Sequence, residues 1–202
     1  MLPVRWVSRD ELLTKYVARF KNLNGAATGL PDSEIDGHRK TILNAFGFNP
    51  PKGANAVNPV GDDARAVITP KAGFSVGFLK SKPRNGPVIH NHNTNETFIP
   101  LQGTWRFIWE ASPAHEEFVD LEPYDTISFP PGVPRRFENL APSPGWEEGL
   151  LVAVVGDDAP VSEAMPGVKA LLMSMAKGEL PTICGDPANP PLLTTKNGGF
   201  GG

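Results

Sequence analysis

Residues Gly86 to Gly103 read GPVIHNHNTNETFIPLQG. His90, His92 and Glu96 share one parity within this stretch, and side chains on an extended strand alternate between its faces, so all three are expected to point the same way. Two imidazoles and one carboxylate make the ligand set of a two-His-one-carboxylate metal site, which leaves coordination positions open for water, oxygen or substrate. A bare His-x-His pair on a polar turn, here among Asn91, Asn93 and Asn95, would carry little weight alone. The sequel adds to it. Glu96 leads into an apolar run from Phe98 to Leu101, Gln102-Gly103 reads as a turn, and Trp105 to Trp109 reads as a returning strand.

The stretch resembles the first motif of the cupins, commonly G-x5-H-x-H-x3-E-x6-G. His90, His92, Glu96 and Gly103 match it in type and spacing, whereas Gly86 is separated from His90 by three residues rather than five. The second cupin motif, commonly G-x5-P-x-G-x2-H-x3-N, is matched by Pro130, Gly132 and Asn139. Tyr124 stands in place of its glycine, and Arg135 in place of its last metal-binding histidine. The resemblance runs from about Arg65 to Gly156 and is specific for fold rather than function. It implies an all-β chain: an antiparallel double-stranded β-helix, the jelly-roll cupin barrel, flanked by N- and C-terminal helices. It also implies that Arg135 approaches the two histidines and Glu96.

Composition agrees with one compact domain. The chain has 202 residues, 22 prolines and 21 glycines, which suits many short connections, and no internal repeat is visible. Nineteen basic and 22 acidic residues give a net charge of -3 without like-charge blocks, arguing against nucleic acid or an anionic membrane as partner. No apolar run approaches a membrane-spanning length, and the N-terminus lacks the apolar core of a signal peptide. Cys184 has no partner within the chain, so a reducing cytoplasm is the expected setting.

Three segments are expected: an N-terminal helix and extended arm over 1–64 packing on the barrel, the barrel over 65–157, and a C-terminal helix with a Pro/Gly-rich tail over 158–202. Ser8 and Glu11 have capping-box spacing ahead of Leu12, Leu13, Tyr16, Val17 and Phe20 at helical intervals. His38, beside Arg39 and Lys40, reads as a solvated surface residue. Thr41 to Phe48, Ala66 to Ile68, Phe74 to Leu79, Glu117 to Leu121, Thr126 to Phe129 and Leu150 to Val155 read as strands, the last closing the barrel. His115 falls at a hairpin tip, away from the triad. Pro166 suits the first turn of a helix carrying Val168, Leu171, Leu172 and Met175 and ending at Gly178. Leu192 and Leu193 would anchor the tail on a surface, and a symmetric homodimer is expected.

The aromatic face formed by Trp105, Phe107 and Trp109 either fills the core or lines a pocket; for the pocket, Trp105, Phe107 and Phe98 are the candidates. For function, the resemblance implies a divalent metal on His90, His92 and Glu96, with iron(II) first and manganese, nickel, cobalt or zinc as alternatives. Dioxygenase chemistry on a small organic acid, diketone or aromatic compound leads. A small-molecule-binding cupin without turnover, or a sugar isomerase or epimerase, is the alternative. Arg135 is the candidate catalytic residue, gripping a substrate carboxylate or bound oxygen species with its fork of donors, or else pairing with Glu96 and withdrawing it from the metal.

Overall fold

Period-two burial runs through the longer strands, as expected where one face of a sheet meets a core. The computed structural model describes residues 2–27, 31–49, 64–113 and 115–168. Among these, the strands in chain order are β1 (Gly25–Ala26), β2 (Thr41–Phe46), β3 (Phe74–Ser81), β4 (His90–His92), β5 (Glu96–Gln102), β6 (Thr104–Ser112), β7 (His115–Leu121), β8 (Ile127–Phe129), β9 (Arg135–Ala141), β10 (Gly149–Gly156) and β11 (Ser162–Ala164). They form two antiparallel sheets, ordered β1-β2-β3-β10-β5-β8 and β11-β4-β9-β6-β7. The eight strands from β3 to β10 divide between the sheets, with only the β6–β7 hairpin staying within one, so that β3-β10-β5-β8 faces β4-β9-β6-β7, which is jelly-roll order.

The two inner faces enclose one main core. Phe98, Trp105, Phe107, Phe129, Phe137, Leu151, Ala153 and Val155 are all buried in it. Phe98 and Phe137 ring centroids lie 4.8 Å apart and Phe98 and Phe107 5.3 Å apart, within the range of favourable aromatic pairs. The Trp105 indole nitrogen donates to the Gln102 carbonyl at 3.0 Å, so the ring is buried without an orphaned donor. Two glycines explain how the chain closes. Gly103 turns at φ +81°, and a side chain on Gly86 would run into the Phe137 carbonyl, so β9 passes directly over the approach to β4.

Several expectations change. The N-terminal helix α1 (Arg9–Lys15) is capped by Ser8, whose hydroxyl accepts from the Glu11 N–H, but it stops before Phe20 and buries no residue. The arm meets the barrel only further on, where Phe20 packs edge-on against Phe78 at 5.0 Å and β1 pairs with β2. Ala66 to Ile68 makes a single bridge, Ile68 to Phe46, in place of a strand. The expected last strand of the barrel, β10, lies inside its sheet between β3 and β5. β11, which the sequence did not announce, pairs with β4. Strands from both flanking segments thus extend the barrel sheets. Helix begins at Pro166, and Val168 packs with Ile35 and Val88. The rest of that helix to Gly178, together with Cys184, Leu192 and Leu193, lies outside the described residues. No helix among the described residues is long and apolar enough to cross a membrane.

Tyr124 occupies the left-handed region at φ 78°, with 79% of its surface exposed, at the position where the cupin motif has glycine. A non-glycine residue is strained there, and an exposed ring gives little packing in return. Tyr124→Gly is expected to stabilise the fold by about 1 kcal/mol, seen as a higher urea midpoint at unchanged slope. A lower midpoint would mean that the ring makes contacts that outweigh the backbone strain.

Candidate metal centre

His90 and His92 lie on β4 in one sheet, whereas Glu96 opens β5 in the other. The single strand implied by their parity is therefore interrupted. Asn93 to Asn95 carry the chain across: Asn93 Oδ1 accepts the Val161 N–H at 2.9 Å, and the Asn95 carbonyl accepts the Gly156 N–H at 3.0 Å. Both strands still turn these side chains inward, so the convergence survives the crossing. One ligand atom from each of the three residues lies within 4.8 Å of the others.

The imidazoles are held in different ways. His90 Nδ1 lies 2.8 Å from the Val88 carbonyl, which fixes the proton on Nδ1 and leaves Nε2 with its lone pair free. His92 Nε2 lies 3.7 Å from Glu96 Oε1, and its buried Nδ1 makes no hydrogen bond although the Val161 carbonyl is nearby. Burial pushes the His90 imidazole down to about 4, helped by His92 and Arg135 against the pull of Glu96 and Val88. Burial also pushes His92 down to about 3, with Arg135 beside it acting in the same direction. Both rings are therefore neutral at physiological pH, the form in which a histidine can ligate a metal.

Arg135 opens β9 opposite His90 and has no exposed surface. Its Nε and Nη2 both donate to Glu96 Oε2, at 3.0 and 2.6 Å, and its Nη1 donates to the Val133 carbonyl at 3.1 Å. Of the two roles expected of Arg135, the pairing with Glu96 is present, and together with Val133 it occupies three of the five N–H groups. The carboxylate is not fully withdrawn. Only Oε2 is taken, and Oε1 still faces His92.

The register of the second sheet grades the aromatic residues by depth. Trp109 pairs with Arg135, which pairs with His90; Phe107 pairs with Phe137, and Trp105 with Asn139. Trp105 therefore sits four residues below the triad's level, about 13 Å at strand rise. The structure places Trp105, Phe98 and Phe107 in the packed core. The aromatics nearest the charged groups are Trp109 and Phe129: the Arg135 guanidinium lies 6.0 Å from the Phe129 centroid, and the Trp109 and Phe129 rings are 6.3 Å apart. Strand parity identified Trp109 but could not rank it above Trp105. A cavity of about 390 Å³ opens beside His92, between Asn91, Asn93, Pro131, Val161 and Glu163.

Two other histidines are settled by the structure. His115 is exposed on the β6–β7 hairpin, 2.9 Å from Glu117. His38 is not solvated as expected. It is half-buried, its Nδ1 lies 3.0 Å from the Gly86 carbonyl, and burial lowers its pKa.

The donor set fits a divalent ion. Two imidazoles in their neutral form and one free carboxylate oxygen, mutually within 4.8 Å, are donors that such an ion accepts. The jelly-roll order, with both motifs meeting at one end of the barrel, is the fold that the resemblance implied. The fold is that of a cupin. No protein-family model and no curated protein matches the chain. Among solved structures, this chain is similar to oxalate decarboxylase from Lactobacillus farciminis, at 13% identity and a TM-score of 0.48 over 79% of this chain and 39% of that one. It is also similar to a cupin-like protein from Thermotoga maritima, at 12% identity and a TM-score of 0.42 over 63% and 77% of the two chains. An oxalate oxidase in complex with glycolate matches at 14% identity and a TM-score of 0.40 over 52% and 57%.

The lowered histidines tie stability to pH. A histidine whose folded pKa lies below its unfolded value contributes full stability above about 6.5 and loses it as pH falls toward the folded value, because the unfolded chain binds the proton first. For His90 and His92 the window runs from about 6.5 down to about 4 and 3, and His38 adds in the same direction. Metal-free protein is expected to lose on the order of 3 kcal/mol between pH 6.5 and 5 in urea denaturation. The double variant His90→Gln, His92→Gln should flatten most of that slope.

Proposed function

We propose that this cupin is a metal-dependent enzyme acting on a small anionic organic molecule, with dioxygenase-type chemistry on an organic acid, diketone or aromatic compound. The observation that carries the reading is the mutual approach, within 4.8 Å, of ligand atoms from His90, His92 and Glu96 at the charged end of the barrel. These three residues would hold the ion. Iron(II) is the proposed metal, and manganese, nickel, cobalt and zinc accept the same donors. When bound, the ion supplies Lewis acidity and open coordination positions for oxygen or substrate.

The chain's own residues account for the preference for an anion. The rings of His90 and His92 are neutral, and the charges of Glu96 and Arg135 cancel, so a divalent ion would bring two uncompensated positive charges into a buried site. Such charge is costly at low dielectric unless an anion joins it. Arg135 uses three of its five N–H groups on Glu96 and Val133, leaving two for a substrate carboxylate. Trp109 and Phe129 supply an apolar wall beside it. The proposal extends to a homodimer in the cytoplasm.

A second reading is favoured by the doubly made contact of Arg135 with Glu96 Oε2: a barrel that binds a small ligand and turns nothing over. Metal content separates the two. Protein purified without chelator is expected to carry divalent metal by elemental analysis, and His90→Ala or His92→Ala to lose most of it. Wild-type protein that takes up neither iron(II), manganese nor zinc would leave only the second reading. Arg135→His is expected to keep or tighten metal binding while weakening binding of small carboxylates, measured by calorimetry on metal-loaded protein. A large gain in metal affinity without any change toward carboxylates would make Arg135 a block rather than a grip.

A further inference from the structure

The approach to β4 is held by residues far away in sequence. Asp32 is buried, and its Oδ2 accepts both the Lys40 ammonium at 2.7 Å and the Val88 N–H at 3.1 Å. Lys40 is as buried as its partner, with 5% of its side chain exposed. Two residues upstream, the Gly86 N–H donates to the Gly37 carbonyl at 3.2 Å and the Gly86 carbonyl receives the His38 ring at 3.0 Å. The Val88 side chain is itself fixed, packed with Ile35 and Val168. Asp32, Gly37 and His38 are thus directed at the segment that delivers His90, and Lys40 at Asp32.

Val88 is the joint. Its N–H is taken by Asp32, and its carbonyl is the partner of His90 Nδ1. The identity of the free His90 nitrogen depends on where that carbonyl points, and the backbone of Val88 is the part that Asp32 restrains. A buried ion pair is a poor device for stability alone, since apolar residues of similar volume often serve as well. Here the carboxylate accepts a backbone N–H that no strand partner satisfies. We propose that Asp32, held in place by Lys40, is a positioning residue for His90, fixing the Val88 backbone so that the imidazole is protonated at Nδ1 and presents Nε2 to the metal. The inference rests on His90 being a metal ligand. Partners of this kind, one step behind a ligand, typically alter metal affinity by ~10- to 100-fold.

The test compares two double variants that both remove the buried charges: Asp32→Asn, Lys40→Met and Asp32→Leu, Lys40→Met. Asparagine and leucine share a branched skeleton of four heavy atoms, but only asparagine keeps an acceptor for the Val88 N–H. Two measurements are made on folded protein: the ring-nitrogen NMR shifts of His90 without metal, and manganese(II) affinity by titration. The asparagine variant is expected to retain the Nδ1–H form and to bind manganese(II) within about threefold of wild type. The leucine variant is expected to show a tautomer mixture at His90, an unchanged His92, and ~10-fold weaker manganese(II) binding. Equal tautomers and affinities in the two variants would overturn the proposal. If wild type takes up no metal, the metal reading fails by itself, and the His90 tautomer comparison still decides whether Asp32 positions the ring.

Discussion

A guanidinium with no exposed surface lies between the two sheets of the barrel, and its contact with one oxygen of one carboxylate governs the site. Arg135 belongs to β9 in the second sheet and Glu96 to β5 in the first, so their 2.6 Å contact also joins the sheets at the end where the histidines sit. Both charges have left water, and the attraction between them must repay that desolvation. It does so only while both remain. Truncating Arg135 would strand Glu96 among Phe98, Phe129 and two imidazoles, a loss on the order of 3–5 kcal/mol for a buried pair broken on one side. The same contact divides the carboxylate, with Oε2 spent on Arg135 and Oε1 left toward His92.

How far the sequence reached depended on whether the decisive contacts were local. Parity and spacing over Gly86 to Gly103 located the triad, because the barrel turns both β4 and β5 inward and a period of two survives the crossing between them. The same reasoning misplaced Glu96 on the histidines' strand, since Asn93 to Asn95 are held by Val161 and Gly156, some sixty residues away. The second motif brought Arg135 to the site, as the resemblance implied, but whether its fork faced substrate or Glu96 was a matter of side-chain geometry. Trp105 and Trp109 share a face and a residue type, and only the pairing of β6 with β9 shows which of them is level with His90. His38, Asp32 and Lys40 were illegible for the same reason. A histidine between polar neighbours reads as solvated, and nothing local records that Gly86 meets its ring or that Val88 meets Asp32.

The replacement of histidine by arginine reaches past the loss of a ligand. A third imidazole would add a fourth donor and no charge, leaving Glu96 to offset part of the ion's charge. Arginine removes the donor and cancels Glu96, so the protein contributes no net charge to a bound divalent ion. A buried ion in such a setting is held weakly by the protein alone and better once an anion completes its surroundings, so that metal and anionic ligand are each expected to strengthen the other's binding.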